Sequence, residues 1–144
     1  MGVVKNNLSN SLGFMDGYVA GNISANESEL KLDTERIKSF LDKAKDTFEV
    51  IDIDDTTKKK LTLSINAFKE KSFNNLSDVE DFYAYSQDFS DIMSAIKSAI
   101  SLEKMPTETN FLIKRAILHF LTIAKTLNDQ RITENALSIA TLYK

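Results

Sequence analysis

The stretch from Phe111 to Leu127, FLIKRAILHFLTIAKTL, is the most apolar part of the chain and the strongest constraint on its fold. Read as a helix, it carries apolar side chains around most of its circumference instead of along one stripe. A helix of this kind is normally surrounded by other helices. We therefore predict that residues 111–127 form the central helix of a bundle and serve as scaffold.

The remainder of the chain also has the pattern of a helical protein. It contains one proline and four glycines, and apolar residues recur every three or four positions. We predict an all-α fold, a compact single-domain bundle of five to six mostly antiparallel helices around residues 111–127, because 144 residues fit one domain. Residues 1–6 are expected to be a short flexible terminus. The polar segment Ser24–Leu32 predicts a linker or an irregular cap, with a second helix beginning at Asp33 or Thr34.

Composition narrows the classes of partner and compartment. The net charge of −3 gives no sequence-wide attraction to nucleic acid or to an anionic membrane. Cysteine is absent, which excludes disulfides, thiolate metal sites and thiol catalysis, and which suits a reducing compartment. We see no secretory signal and no apolar run of about 20 residues. A cytoplasmic protein without nucleic-acid or membrane partners is expected.

Three glycines recur at intervals of four near the amino terminus: Gly13, Gly17 and Gly21, here named the glycine stripe. Each glycine weakens an exposed helix by about 1 kcal/mol relative to alanine, so close approach of another helix is the physical compensation. The pattern predicts a helix-packing groove inside the fold. A groove that binds a second copy of the chain or a partner helix is the alternative, which includes a homodimer. A third interpretation is a weak helix that frays.

The segment from Val50 to Thr56, VIDIDDT, resembles the first motif of the haloacid-dehalogenase phosphatases. The resemblance implies that Asp52 is a phosphoryl-accepting nucleophile and Asp54 an acid/base. That family also needs a parallel sheet that carries a lysine and a further acidic pair, and the residues after Thr56 supply no such strands. We interpret the segment as a helix end and an acidic turn, followed by a helix N-cap at Asp55 or Thr56.

His119 is the only histidine of the chain, and it lies inside the predicted central helix. A carboxylate-bridged di-iron bundle needs a glutamate three residues before its histidine, and that position is Ala116. We predict a structural or surface histidine. The alternative is a pH-sensitive or ligand-contacting role, because histidine has an unperturbed pKa of roughly 6.5. No catalytic, metal-binding or cofactor-binding residue and no cofactor are predicted.

Acidic residues and a tyrosine recur every three or four positions along the predicted fourth helix. This acidic stripe comprises Asp78, Asp81, Tyr85, Asp88 and Asp91. Solvated helix faces often have this pattern. The functional alternative is a docking face for a partner with a basic surface, because charge complementarity steers association and tyrosine is favoured at interfaces.

The functional prediction rests on the absence of recognisable catalytic groups from a chain that forms a compact helical surface. We expect a non-catalytic protein–protein interaction module, such as a small regulator, inhibitor, immunity factor or adaptor. The abundance of Lys, Asn, Ile and Ser is typical of an AT-rich genome, and suggests a bacterial or phage source. The alternative is a small-ligand-binding or enzymatic helical domain with a pocket near His119. The glycine stripe and the acidic stripe are the predicted functional surfaces, and another protein is the predicted partner.

Overall fold

The computed structural model confirms the predicted all-α bundle. It describes the backbone of residues 13–71, 73 and 78–143, with side chains from residue 27 onward. The helices are α1 (Gly13–Asp46), α2 (Asp55–Lys69), α3 (Val79–Ala99), α4 (Thr107–Leu127) and α5 (Gln130–Leu142), with a short 3-10 turn at Thr47–Val50. Within this part of the chain there is no strand, and no helix is both long enough and apolar enough to cross a membrane. The terminus predicted at residues 1–6 lies outside the described residues.

The linker or irregular cap predicted at Ser24–Leu32 is wrong. Ser24–Leu32 is helical, and α1 is continuous from Gly13 to Asp46, so that no helix begins at Asp33 or Thr34. Leu30 is only 1% exposed and continues the buried stripe of the helix at helical spacing. Ser28, Glu29 and Lys31 are exposed, so a solvated face of the helix was misread as a break in it.

Two contacts show that α1 and α4 pack antiparallel. Asp33 of α1 lies opposite His119 of α4, with 3.1 Å between Oδ1 and Nδ1. Fourteen residues later, just after α1 ends, the hydroxyl of Thr47 is hydrogen-bonded to the hydroxyl of Thr109. Residue numbers therefore decrease along α4 as they increase along α1, as they must in an antiparallel pair.

A cluster of aromatic rings, all buried except the half-buried Phe73, joins α2, α3 and α4. Its members are Phe68, Phe73, Phe82, Tyr85, Phe89 and Phe120. The ring centroids of Phe68 and Tyr85 are 4.6 Å apart, and those of Phe89 and Phe120 are 5.0 Å apart. Because each aromatic side chain buries a large area, this cluster is a major source of stability.

Aspartate begins three of the helices. Asp54, Asp78 and Asp129 stand immediately before α2, α3 and α5, and each accepts hydrogen bonds from backbone amides two or three residues further on. These bonds satisfy amides that have no partner inside the helix. Between α4 and α5, Asn128 adopts a left-handed conformation with φ of 53°, which asparagine tolerates better than most residues. Asn128 and Asp129 alone connect these two helices.

Helix α4 is buried on one side only. Its buried residues are Thr109, Leu112, Ile113, Ala116, Ile117, Phe120, Ile123 and Ala124. Phe111 and Leu118 are 58% and 51% exposed. We predicted that residues 111–127 would be surrounded by other helices. This prediction holds for one side only, because the neighbouring helices leave the outer side of α4 open to solvent.

Asp42 links α1 to α2, and its replacement is expected to change the pH dependence of stability. Hydrogen bonds from Lys69 and, second, from Lys45 hold the pKa of Asp42 below its usual value. A folded-state pKa below the unfolded one stabilises the protein above the unfolded pKa, and this stabilisation is lost as the pH falls through the folded pKa. For Asp42→Asn we expect a free energy of unfolding lower by about 0.5 kcal/mol at pH 7, because the carboxylate is half-exposed, with no deficit at about pH 2.

Urea denaturation at a series of pH values measures this difference. Asp52→Asn is the control, because Asp52 is exposed and forms no ion pair with any described residue. A deficit for Asp42→Asn that persists unchanged at pH 2 contradicts the assignment.

Candidate functional site

The acidic stripe is divided between solvent and core. Asp78 is exposed as the N-cap of α3, and Asp91 is also exposed. Asp81 and Asp88 are half-buried at the boundary. Tyr85 is only 2% exposed, so its expected position on an exposed docking face is wrong. Helical spacing does place it beside the acids, but its ring belongs to the aromatic cluster.

The boundary residues of α3 line a surface pocket beside the end of α2. The pocket has a volume of about 180 Å³, and we name it the Tyr85 pocket. Its lining residues are Lys71, Phe73, Asp81, Ala84, Tyr85 and Asp88. A second depression of about 240 Å³ shares Lys71 and Asp88 and extends to Asp91. The structure thus brings together Asp81, Tyr85 and Asp88 in one site, and places Asp91 next to it.

One ion pair crosses the edge of the Tyr85 pocket. Lys71 Nζ lies 2.7 Å from Asp88 Oδ2, and both side chains are about two-fifths exposed, at 43% and 40%. Exposed pairs of this kind contribute little to stability, because water screens them and both side chains lose freedom. The pair can therefore open at small cost when another charged group approaches.

Two polar atoms of the Tyr85 pocket are buried without a partner. The Tyr85 hydroxyl and Asp81 Oδ2 form no hydrogen bond to any described residue. The two residues are four apart on α3 and therefore neighbours on one face. Burial raises the pKa of Tyr85 far above its usual value. An unsatisfied buried polar atom costs about 1–3 kcal/mol, so these two atoms lower the stability of the fold.

His119 is held by residues of α1. Besides its contact with Asp33, the imidazole stacks on Phe40 with 5.7 Å between ring centroids. Only 14% of the His119 side chain is exposed. The sequence analysis did not identify Asp33 as the partner of His119, because it predicted that a helix begins at Asp33. In the structure Asp33 lies in the middle of α1. These contacts suit a histidine that positions two helices.

The acidic turn predicted before α2 is confirmed, but the predicted N-cap at Asp55 or Thr56 is wrong, because both residues lie inside the helix. Asp54 is the cap, and it accepts a 2.7 Å bond from the backbone amide of Thr57. This bond lowers the pKa of Asp54. Asp52 is exposed in the turn. The described residues contain no sheet that could support the phosphatase motif.

The glycine stripe lies within α1. Burial and packing are described from residue 27 onward, so the packing of Gly13, Gly17 and Gly21 lies outside the described part. Helix packing and self-association through these glycines both stay predictions.

An apolar groove between α4 and α5 was not predicted. Two surface depressions of about 310 and 280 Å³ share Leu121 and together form this α4–α5 groove. Its apolar residues are Ile117, Leu118, Leu121, Ala124, Ala136, Leu137, Ala140 and Tyr143. Leu118 and Leu137 are 51% and 58% exposed. The signal in the sequence was the excess of apolar residues in α4, which we had attributed to enclosure by other helices.

Comparison with known proteins gives no further constraint on the site. No protein-family model matches the sequence, and no curated protein or solved structure is significantly similar to it.

Replacing the two buried tyrosines by phenylalanine is expected to have different effects. Tyr143 donates a buried 2.6 Å hydrogen bond to the carbonyl of Met93, whereas the Tyr85 hydroxyl has no partner in the described part of the chain. We expect Tyr143→Phe to lower the free energy of unfolding by about 1–2 kcal/mol, and Tyr85→Phe to leave it unchanged or raised. Urea denaturation measures both. Equal losses for the two variants contradict the assignment of an unbonded Tyr85 hydroxyl.

A double-mutant cycle tests the pairing of His119 with Asp33. Asp33 is only 7% exposed and loses its partner in His119→Leu, so we expect a loss of about 1–3 kcal/mol in the free energy of unfolding. In the double variant Asp33→Leu, His119→Leu, the loss should be smaller than the sum of the two single losses. Additive losses contradict direct coupling between the two side chains.

Proposed function

We propose that this chain is a non-catalytic protein–protein interaction module that binds an amphipathic helix of another protein in the α4–α5 groove. The supporting observation is the exposed apolar surface of that groove, where Leu118 and Leu137 are each more than half exposed on either side of Leu121. Exposed apolar residues that are neighbours in a groove often mark an interaction site, whereas single scattered ones are normal on a protein surface.

The dimensions of the α4–α5 groove suit a helix of about three turns. Lys114 and Lys125 line the two depressions and are eleven positions apart on α4. At 1.5 Å per residue, they are separated by about 16 Å along the helix axis. A partner helix of that length presents apolar anchors at positions i, i+3, i+4 and i+7, which is the usual way in which a helix occupies a groove.

Charge at the α4–α5 groove indicates which helix fits. Lys114 and Lys125 are exposed, and neither forms an ion pair within the described residues. The partner helix therefore carries aspartate or glutamate beside its apolar residues. Such complementarity accelerates association and fixes the orientation more than it adds affinity.

This proposal agrees with a small regulator, inhibitor, immunity factor or adaptor in the cytoplasm of a bacterial or phage-infected cell. The exposed acids of α3 supply a second surface of opposite sign, which suits the basic partner predicted for the acidic stripe. For the alternative, a ligand pocket near His119, the ring would have to be free to contact a ligand. Its contacts with Phe40 and Asp33 support a scaffold role instead.

Binding of a labelled helical peptide tests the proposal. The probe is an amphipathic peptide of about four turns, with leucines at i, i+3, i+4 and i+7 flanked by glutamates, and a second peptide carries lysines in place of the glutamates. We expect the glutamate peptide to bind more tightly in a fluorescence anisotropy titration. Leu118→Glu should weaken that binding at least tenfold, because it places a charge in the apolar groove.

Leu63→Glu is the matched control, because Leu63 on α2 is 58% exposed but lies on another helix. It should leave the affinity unchanged. Equal losses for Leu118→Glu and Leu63→Glu, or tighter binding of the lysine peptide, reject the groove as the binding site.

A further inference from the structure

We propose that a surface between α1 and α4 binds an acidic segment of a partner protein, in which an aspartate or glutamate stands beside an aromatic residue. We name it the Arg115 surface, and its residues are Arg36, Phe40, Lys43, Phe111 and Arg115. It lies where α4 meets α1, whereas the α4–α5 groove lies where α4 meets α5. The inference rests on the proposed function only in naming a protein as the source of the acid.

Aromatic rings from two helices hold the side chain of Arg115. Its Cζ atom lies 5.7 Å from the ring centroid of Phe40 on α1, and 5.9 Å from that of Phe111 on α4. The ring of Phe40 is in turn stacked on His119. Arginine has many rotamers, and these contacts restrict them before any ligand arrives. A ligand of Arg115 therefore has to order less of the side chain.

The N–H donors of Arg115 are available to a ligand. Contact with the face of an aromatic ring uses the positive charge of a guanidinium and leaves its N–H donors free to bond. Arg115 is exposed, and its guanidinium forms no hydrogen bond or ion pair with any described residue. A carboxylate matches the planar arrangement of these donors, because its two oxygens accept two parallel bonds.

Charge at the Arg115 surface favours an acidic ligand. Lys43 Nζ also lies 5.7 Å from the ring centroid of Phe40, so two cations contact the same ring. Arg36 lies four positions before Phe40 on α1. Lys43 and Arg36 are exposed and form no ion pair with the described residues. Because these positive charges repel one another, a bound carboxylate is favoured. Glu108, seven positions before Arg115, disfavours an acid at that end of the surface.

Phe111 indicates that an aromatic residue accompanies the acid. Its side chain is 58% exposed and lies against the guanidinium of Arg115. A ligand that reaches the guanidinium is therefore close to the exposed part of this ring. Aromatic pairs are more favourable than the area they bury accounts for, and aromatic residues are enriched in protein interfaces.

A single-stranded nucleic acid also combines negative charge with rings, but it fits the Arg115 surface less well. Its binding depends on many phosphate contacts along a groove lined by cations. This surface offers Arg36, Lys43 and Arg115, with Glu108 at one end. The whole chain has a net charge of −3, which repels a polyanion. A short acidic peptide segment is therefore the favoured ligand.

Titration of three short peptides followed by NMR tests the proposal. The probes are Ac-Glu-Phe-Glu-NH2, the neutral Ac-Gln-Phe-Gln-NH2 and the ring-free Ac-Glu-Ala-Glu-NH2, added to the full chain labelled with ¹⁵N. We expect saturable shifts in the amide signals of Phe40, Phe111 and Arg115 with the first peptide. It should bind at least about fivefold more tightly than the neutral peptide and threefold more tightly than the ring-free one. Shifts centred elsewhere, or a first peptide no tighter than either other, overturn the proposal.

Substitutions of Arg115 connect this binding to its guanidinium. Arg115→Gln removes the charge and should lower the affinity for Ac-Glu-Phe-Glu-NH2 at least about fivefold. Arg115→Lys keeps the charge without the planar donors and should lower it about threefold. Lys59→Gln is the control, because it removes an exposed cation of α2, and it should change the affinity less than about twofold. Equal losses in Arg115→Gln and Lys59→Gln, or an unchanged affinity in Arg115→Lys, overturn the proposal.

Phe111→Ala separates the aromatic contact from the charge. The side chain is exposed, so its truncation should leave the chain folded, and thermal denaturation checks this for every variant. We expect a larger loss of affinity for Ac-Glu-Phe-Glu-NH2 than for Ac-Glu-Ala-Glu-NH2, because only the first peptide has a ring to pair with Phe111. Equal losses for both peptides contradict an aromatic neighbour of the acid.

Two further probes identify the source of the acid. Free L-glutamate and an eight-nucleotide oligothymidylate should each bind more weakly than Ac-Glu-Phe-Glu-NH2. Glutamate that binds as tightly as the peptide identifies a small molecule, and oligothymidylate that does so identifies a nucleic acid. Either result overturns the assignment to a protein partner.

Leu137→Glu separates this inference from the proposed function, because Leu137 lines the α4–α5 groove from α5. It should lose the helical peptide and retain Ac-Glu-Phe-Glu-NH2, whereas Arg115→Gln should do the reverse. Loss of both ligands in either variant contradicts two separate sites. Failure of the parent chain to bind Ac-Glu-Phe-Glu-NH2, with normal binding of the helical peptide, rejects the inference and leaves the proposed function in place.

Discussion

The mutual burial of aromatic rings between α2, α3 and α4 is the interaction on which most of this structure depends. Phe82, Phe89 and Phe120 are completely buried, so each contributes nearly its full apolar area to the folded state. These rings also fix how α3 is rotated about its own axis. Once Phe82 and Phe89 point inward, Asp81 and Asp88 must stand at the boundary with solvent. The position of the acidic pocket is thus a consequence of core packing.

The small net charge does not reveal that opposite charges lie on different surfaces of this molecule. The sum of −3 is small, yet α3 presents acids along one side, whereas α4 presents lysines beside exposed leucine. A chain with two surfaces of opposite sign can contact two different partner regions, or orient one partner that touches both. Neither surface requires a special backbone conformation. The surface of α4 arises because its apolar stripe is wider than the area that its neighbours cover. The acidic surface of α3 arises where its apolar stripe meets its polar face.

Much of the fold was predictable from helical spacing, and the failures have physical causes. The all-α class, the turn at Asp54 and the helix ending at Leu127 follow from local patterns. The predicted break at Ser24–Leu32 failed because a solvated helix face and a linker have similar composition. Tyr85 was assigned to the surface because spacing cannot distinguish a core edge from a solvent face. The α4–α5 groove and the unbonded Tyr85 hydroxyl depend on which neighbours are absent, and sequence periodicity carries no information about that.

The two-residue connection at Asn128 and Asp129 has a consequence for folding kinetics. It joins both walls of the α4–α5 groove, so contacts across the groove are made within one helical hairpin. The entropy lost on closing a loop grows with its length, and proteins rich in local contacts fold faster. The left-handed Asn128 and the cap at Asp129 already set the path of the chain between the walls. The groove is therefore assembled within one contiguous segment of the chain, whereas the packing of α1 on α4 joins residues as distant in sequence as Asp33 and His119.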